Sequence, residues 1–100
     1  MKKIIVISAV WCPSCLILKK HLKKLKQEYL GLEIESLDYD FDEEEVQKYN
    51  VGNKLPVIIS TNDNKEINRL IGEKSYDEIL EFLKRCEIIW EKDYLFYYSL

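Results

Sequence analysis

The chain has 100 residues, of which 47% are apolar and 33% are charged, and its net charge is −3. These values are typical of one small soluble domain with its own core. The negative charge excludes a general nucleic-acid binder, which is normally basic. Three cysteines are too few, and odd in number, for the disulfide framework of a small secreted protein. No apolar run approaches the roughly 18 residues of a membrane span, so we expect a cytoplasmic protein that binds no membrane.

The first predicted strand is the apolar, β-branched run over residues 4–9, which follows Met1-Lys2-Lys3. A charged start followed by an apolar stretch resembles a secretory leader. However, the stretch ends at Trp11 and no small-residue cleavage site follows it. We therefore interpret the run as a buried strand of a parallel sheet.

Residues 11–15, which come directly after this strand, read Trp-Cys-Pro-Ser-Cys. Pro13 suits the first turn of a helix, where backbone N–H groups have no intrahelical partner. Cys12 then lies at the helix N-terminus, where free N–H groups and the helix dipole favour a thiolate. Cys15 follows one turn later, within reach for a disulfide. The spacing predicts a redox pair in which Cys12 attacks a disulfide and Cys15 resolves the mixed disulfide.

The rest of the chain alternates helical and strand patterns. The predicted elements are a helix over 15–29, a strand over 32–39, a short helix over 42–49, strands over 55–60 and 66–71, and a helix from 75 to about 90. Asp42 is the expected N-cap of the short helix, and Ser75 with Glu78 forms a capping box for the last one. The order β-α-β-α-β-β-α predicts an α/β fold with a central mixed four-stranded sheet and helices on both faces.

The cysteines, the histidine and the acidic residues do not have the spacing of a metal site. Zinc would need a second CxxC or a His-containing pair, and His21 and Cys86 do not have that spacing. Residues 38–42 imitate the start of a calcium loop, but Glu43 stands where Gly is required and Tyr49 where Glu is required. We predict no metal, a solvent-facing His21 and a buried, inert Cys86.

With Leu55-Pro56 opening the third strand, 41 positions after Cys15, the chain resembles the thioredoxin-fold family from about residue 3 to residue 87. The resemblance implies a thioredoxin-like domain over 1–87 and a cis bond before Pro56, beside the thiols. It also implies a thiol–disulfide oxidoreductase with Cys12 as nucleophile, Cys15 as resolving cysteine, and no cofactor beyond their disulfide. The implied substrate-binding surface consists of Trp11, Pro13, Ser14, Leu55 and Pro56, with the Leu55 backbone placed against an extended peptide.

The chain departs from thioredoxins proper behind the motif. Val6 occupies the place of their buried aspartate, and Ser36 roughly that of the lysine paired with it. The Pro13-Ser14 dipeptide is closer to glutaredoxins, yet residues 72–75 (Gly-Glu-Lys-Ser) replace the Gly-Gly pair with which those proteins grip glutathione. Without the buried acid, we expect the proton of Cys15 to pass to water or to the leaving thiolate, and the resolving step to be slow.

Three functions are compatible with these residues. The first is a protein disulfide reductase that acts on disulfide-containing proteins and receives electrons from a reductase or glutathione. The second is a thioredoxin-fold binding or adaptor module with little turnover, and the third is a glutathione-linked, glutaredoxin-like enzyme. The aromatic-rich residues 88–100 form an extension that we expect to pack on the domain or at an interface. The chain is then a monomer or a weak dimer.

Overall fold

The computed structural model describes residues 1–89, and its elements follow the predicted order. The strands are β1 (Lys2–Ser8), β2 (Ile34–Asp38), β3 (Val57–Asn62) and β4 (Lys65–Ile71), and the helices are α1 (Pro13–Glu28), α2 (Glu43–Gln47) and α3 (Tyr76–Arg85). None of these helices, within the described part of the chain, is long and apolar enough to cross a membrane.

The four strands form one sheet in the order β2-β1-β3-β4. β1 is parallel to β2 and antiparallel to β3, and β3 pairs with β4 as a hairpin. The hairpin closes at Asp63 and Asn64, whose φ angles of 52° and 67° are those of a tight two-residue turn. The predicted mixed sheet and hairpin are therefore confirmed. β1 is buried on both faces, with Ile4 and Val6 in one core cluster and Ile5 and Ile7 in the other, which explains why its apolar run is not interrupted by polar residues.

Helices cover both faces of the sheet, as predicted. On one face, α1 and α3 pack against Ile4, Val6 and Ile58 through the buried residues Leu18, Leu22, Leu25, Ile79, Phe82 and Leu83. On the other face, Val46 of α2 packs against Ile5, Ile7, Val57 and Ile59. Cys12 and Cys15 lie with Ala9 in a separate small cluster at the end of β1.

Several element boundaries differ from the sequence prediction by a few residues. α1 begins at Pro13, two residues before the predicted helical periodicity, and Cys12 is its N-cap, as the motif predicted. β3 begins at Val57 rather than at residue 55, since Pro56 has no N–H to offer to a sheet ladder. Asp42 is the N-cap of α2, but its side chain makes no capping bond; Oδ2 instead accepts from the backbone N–H of Asp38 at 2.7 Å.

The last helix is shorter than its apolar stripe suggests. α3 ends at Arg85, and Glu87 has a left-handed φ of 56°. The N–H groups of Glu87 and Ile88 donate to the carbonyls of Lys84 and Leu83, which is the Schellman arrangement for ending a helix. Ile88 and Ile89 still pack against the core. The remainder of the predicted extension, residues 90–100, lies outside the described residues.

Candidate active site

The two thiols of the motif lie at the N-terminus of α1. Cys12 is 5% exposed and Cys15 is 1% exposed, and both are free thiols. Sγ of Cys12 caps the helix by accepting a hydrogen bond from the backbone N–H of Cys15 at 3.3 Å. This contact fixes the sulfur at the helix N-terminus, where the first backbone N–H groups have no intrahelical partner. The local geometry therefore suits Cys12 to be the attacking sulfur.

The surroundings of Cys15 favour the protonated thiol. Burial and the hydrogen bond with Cys12 raise the pKa of the Cys15 thiol to about 11. A backbone hydrogen bond with Ala9 and, more weakly, the positive charge of Lys19 act against this rise in the pKa but do not cancel it. Cys15 is therefore protonated near neutral pH, and its use as a nucleophile requires that a proton be removed.

The loop before β3 reaches the thiols from the other side of the sheet. Leu55 packs against the cluster of Ala9, Cys12 and Cys15. The Leu55–Pro56 bond is cis, and the carbonyl of Pro56 accepts a hydrogen bond from Gly72 N–H at 2.8 Å. Gly72 has a φ of +90°, a conformation that side-chain-bearing residues rarely adopt. Leu55 therefore joins the cis peptide bond to the thiol cluster.

Trp11 is the large exposed side chain of the motif, at 58% exposure. Its indole Nε1–H donates to Asp40 Oδ2 at 2.7 Å, and its ring meets the Tyr39 ring edge-on at a centroid distance of 6.3 Å. The two contacts hold the indole in one orientation next to Cys12. Asp40 was not among the predicted site residues, because its contact spans 29 positions of the chain.

The dipeptide between the cysteines is anchored on one side. Pro13 is exposed, whereas Ser14 is half-buried and its Oγ donates to Glu73 Oε1 at 2.9 Å. In the sequence, Glu73 is visible only as part of residues 72–75, which replace the glutathione-binding Gly-Gly pair of glutaredoxins. Its position directly after Gly72 is the one sequence feature that places it near the two thiols. The structure thus adds a carboxylate to the surface around the thiols.

A cavity of about 240 Å³ lies behind Cys15, between α1 and the β1–β2 pair. Val6 and Ser36 line it and are direct neighbours in the parallel register. Its polar lining also includes Ser8, Lys19, Asp38 and Asp42. In the sequence, Asp38 and Asp42 belong to a false calcium motif and Asp42 is the expected N-cap of the short helix, and neither feature connects them with the thiols. Within residues 1–89, no three side chains of the metal-binding types come together as a metal site.

Cys86 and His21, for which we predicted no functional role, lie away from the motif. Cys86 is buried, as predicted, and its Sγ accepts from Ser60 Oγ at 3.2 Å. His21 is not the fully solvated side chain that we expected. It is partly buried, with its ring 5.8 Å from that of Tyr76. Tyr76 lies on α3, and the lysines on either side of His21 did not indicate that this residue would contact another helix.

Known proteins resemble this chain in both sequence and structure. The sequence model of the family described as Thioredoxin matches residues 1–85. The thioredoxin of Chlamydia trachomatis serovar D is 29% identical over 77 residues, which cover 77% of this chain and 74% of that protein. Mitochondrial thioredoxin 3 of Saccharomyces cerevisiae, in its oxidised form, superposes with a TM-score of 0.75 at 25% identity, over 84% of this chain and 77% of that one. The thioredoxin of Fasciola hepatica superposes with a TM-score of 0.72 at 27% identity, over 83% and 80%.

Proposed function

This chain belongs to the thioredoxin family and is a thiol–disulfide oxidoreductase, and from that premise we propose that it reduces the disulfides of protein substrates. The observation that carries the proposal is the asymmetry of the two thiols. Cys12 Sγ receives an N–H donor at the helix N-terminus, while the pKa of buried Cys15 is raised to about 11. One sulfur is thereby prepared to attack, and the other is held back as a thiol until a mixed disulfide exists.

The reaction proceeds in two exchanges. The Cys12 thiolate attacks one sulfur of the substrate disulfide, so that a mixed disulfide forms and the other substrate sulfur leaves as a thiolate, which takes up a proton. Cys15 then loses its proton and attacks Cys12 Sγ. The Cys12–Cys15 disulfide forms, the second substrate sulfur is released and protonated, and the substrate has gained two electrons.

The proposed docking surface surrounds Cys12. Trp11 offers an oriented, exposed aromatic face, and Pro13 and Ser14 form the adjoining loop. The side chain of Leu55 packs against the thiol cluster, and we propose that its backbone pairs with an extended peptide. A protein segment that contains the disulfide is the substrate class that suits this combination of an aromatic side chain and a backbone edge.

The oxidised pair must be reduced again by a donor outside the chain. Two solved structures that share this fold come from studies of thioredoxin partners. One is a complex of ferredoxin:thioredoxin reductase with thioredoxin f2, and the other concerns thiol resolution in a yeast mitochondrial 1-Cys peroxiredoxin through glutathione/thioredoxin systems. By analogy we propose a reductase as the donor of this chain, with glutathione as the alternative.

Turnover of a protein disulfide with dithiothreitol as donor tests the proposal. Cys12→Ser should abolish turnover, Cys15→Ser should accumulate the mixed disulfide, and Cys86→Ser is the matched control that should retain turnover. Persistent turnover in Cys12→Ser contradicts the proposal. Substrate binding without turnover in the parent protein supports an adaptor, and turnover that requires glutathione supports a glutaredoxin-like enzyme.

A redox titration of the Cys12–Cys15 pair against glutathione then decides the direction of electron flow. A potential near about −270 mV is that of a reductant such as thioredoxin, and one near about −120 mV is that of an oxidant. The proposal requires the first value. An oxidising potential would assign the chain to disulfide formation instead.

A further inference from the structure

We propose that Asp38 accepts, through water in the cavity behind Cys15, the proton that Cys15 must lose in the resolving step. The proposal rests on the proposed function and deepens it, because it assigns a base to a site whose usual acid is replaced by Val6. It differs from the expectation drawn from sequence alone, in which only bulk water or the leaving thiolate takes the proton.

The sheet places Asp38 on the required face. In the parallel pairing of β1 and β2, Val6 lies beside Ser36 and Ser8 lies beside Asp38. Side chains two residues apart on a strand point to the same face. Asp38 therefore lies on the face of Val6, which packs against α1. It is one strand across and two residues towards the motif from the position where a buried acid is missing.

The cavity connects the two groups. Cys15 and Asp38 both line it, and Ser8, Ser36 and Lys19 supply further polar walls. Its volume of about 240 Å³ holds several water molecules, each of which occupies about 30 Å³ in the liquid. A polar cavity of this size can carry a proton over a distance that a direct hydrogen bond does not span.

The Asp38 carboxylate is held in place by its own loop. Oδ1 accepts the backbone N–H groups of Asp40 and Phe41 at 2.9 and 3.0 Å. The backbone N–H of Asp38 in turn donates to Asp42 Oδ2 at 2.7 Å. Within residues 1–89, Oδ2 of Asp38 accepts no hydrogen bond from protein. One oxygen thus fixes the group while the other remains available to a proton.

The step balances without a further reagent. The Cys15 proton moves through water to the Asp38 carboxylate, and the electron pair left on Cys15 Sγ forms the bond to Cys12 Sγ. The bond between Cys12 and the substrate sulfur breaks, and that sulfur leaves with the pair and takes a proton from solvent. Asp38 then returns its proton to solvent.

Several charged or titratable groups face Cys15 besides Asp38. Cys12 and Lys19 lie on or beside α1, Tyr39 packs against the thiol cluster from the end of β2, and Asp42 lines the cavity from the loop that follows. Lys19 lowers the pKa of Cys15, and a charged Cys12 raises it. In the mixed disulfide Cys12 carries no charge and no longer raises the pKa of Cys15 in this way. Burial still raises that pKa, so Cys15 needs a base, but its deprotonation costs less than in the reduced protein.

The Asp38→Asn variant tests the proposal, because the direction of the change in resolution rate distinguishes a proton acceptor from a negative charge alone. Asn retains an oxygen for the N–H groups of Asp40 and Phe41 but accepts no proton. Loss of the acceptor should slow resolution about tenfold near pH 7, which is less than the roughly 10²- to 10⁴-fold of a direct general base because water intervenes. Removal of a mere negative charge would instead lower the pKa of Cys15 and speed resolution. Asp42→Asn, which removes the other carboxylate of the cavity, should slow resolution less than Asp38→Asn does. Asp77→Asn, at an exposed position of α3 outside the cavity, is the matched control and should change the rate less than about twofold.

Rapid acid quench and mass spectrometry of the mixed disulfide separate the two exchanges. Formation of the mixed disulfide should be equal in parent and variant, which also shows that Asp38→Asn is folded. A mixed disulfide that never forms would remove the proposed function itself. Two outcomes would overturn only the inference. In one, the mixed disulfide forms normally in Asp38→Asn and is resolved at an unchanged or faster rate. In the other, Asp42→Asn slows resolution as much as Asp38→Asn does.

The pH profile of the parent protein gives a second test that needs no variant. With an internal acceptor, which makes the proton transfer independent of hydroxide, the resolution rate should be nearly constant between about pH 6 and pH 8. With hydroxide as the only acceptor, the rate rises about tenfold per pH unit up to the pKa of Cys15. A tenfold rise per unit in the parent overturns the inference.

Discussion

The hydroxyl of Ser14 donates a hydrogen bond to the carboxylate of Glu73 over 2.9 Å, across 59 positions of the chain. This contact joins the loop between the two cysteines to the turn that follows β4. It also places a negative charge at the rim of the proposed docking surface, opposite the side on which Trp11 is bound to Asp40. The electrostatics of this surface therefore depend on residues outside the motif.

Replacement of Glu73 by Gln should shift substrate preference towards disulfide peptides with acidic flanks. One charge near contact distance in water is worth up to about 1 kcal/mol, so the ratio of rates for acidic and basic peptides should rise about two- to threefold at low salt. The measurement is the rate of the first exchange with matched peptides at low and high ionic strength. Glu81→Gln on α3 is the control, and an equal shift there would remove the special role of Glu73.

Val6→Asp should destabilise the fold by about 2 kcal/mol or more, because it buries a carboxyl group without a designed partner. Burial raises the pKa of that carboxyl in the folded state. Its penalty is therefore absent at low pH and grows as the pH rises from the unfolded value towards the folded one. Ser36→Lys, whose position pairs with Val6 in the sheet register, should recover part of the loss. Urea unfolding at pH 5 and pH 8 checks this, and equal losses at both pH values would contradict it.

The stability of the reduced protein should fall at alkaline pH through Cys15. The pKa of this thiol is raised to about 11 by burial and by Cys12, above its ordinary value of 9.0. The folded state then holds the proton more tightly than the unfolded chain does. This contribution is complete below about pH 9 and is lost as the pH rises towards about pH 11. Other groups also titrate in this range, so the measurement is the difference in unfolding free energy between parent and Cys15→Ala. A pH-independent difference would disprove it.

Glu87→Gly should stabilise the protein by about 0.5 kcal/mol. Glu87 has a φ of 56° at the position after the α3 C-cap, where glycine is the favoured residue. The gain is partly offset by the greater freedom of glycine in the unfolded chain. The lost ion pair between Glu87 and Lys2 is at the surface and contributes little. Glu81→Gly, inside α3, is the matched control and should lower stability by about 1 kcal/mol. Thermal unfolding of both variants measures the contrast.

Removal of residues 90–100 should lower the thermal stability or change the oligomeric state. The segment contains Trp90, Tyr94, Leu95, Phe96, Tyr97 and Tyr98, more apolar surface than a chain normally leaves in water. Differential scanning calorimetry and light scattering of the shortened chain distinguish the two outcomes. A variant with both properties unchanged would show that the segment neither packs on the domain nor forms an interface.

Most of the architecture could be predicted from local sequence patterns. The redox pair, the turn at Asp63-Asn64 and the capping box of Ser75 and Glu78 are encoded within a few neighbouring residues. Reliance on local patterns also made the predicted end of α3 wrong. Ile89 continues the apolar stripe of the helix, but the chain reverses at Glu87 and Ile89 still reaches the core.

The sequence by itself predicted which sulfurs form the pair, because a helix N-terminus and a spacing of three residues are local properties. It also determined the order of the strands and helices, which follows from hydrophobic periodicity and turn residues. Only the tertiary structure decided what surrounds those sulfurs. Glu73 reaches Ser14, and Asp38 shares a cavity with Cys15, through the pairing of strands that are distant in the chain. Such contacts arise when the sheet and α1 pack together, and no pattern among neighbouring residues records them.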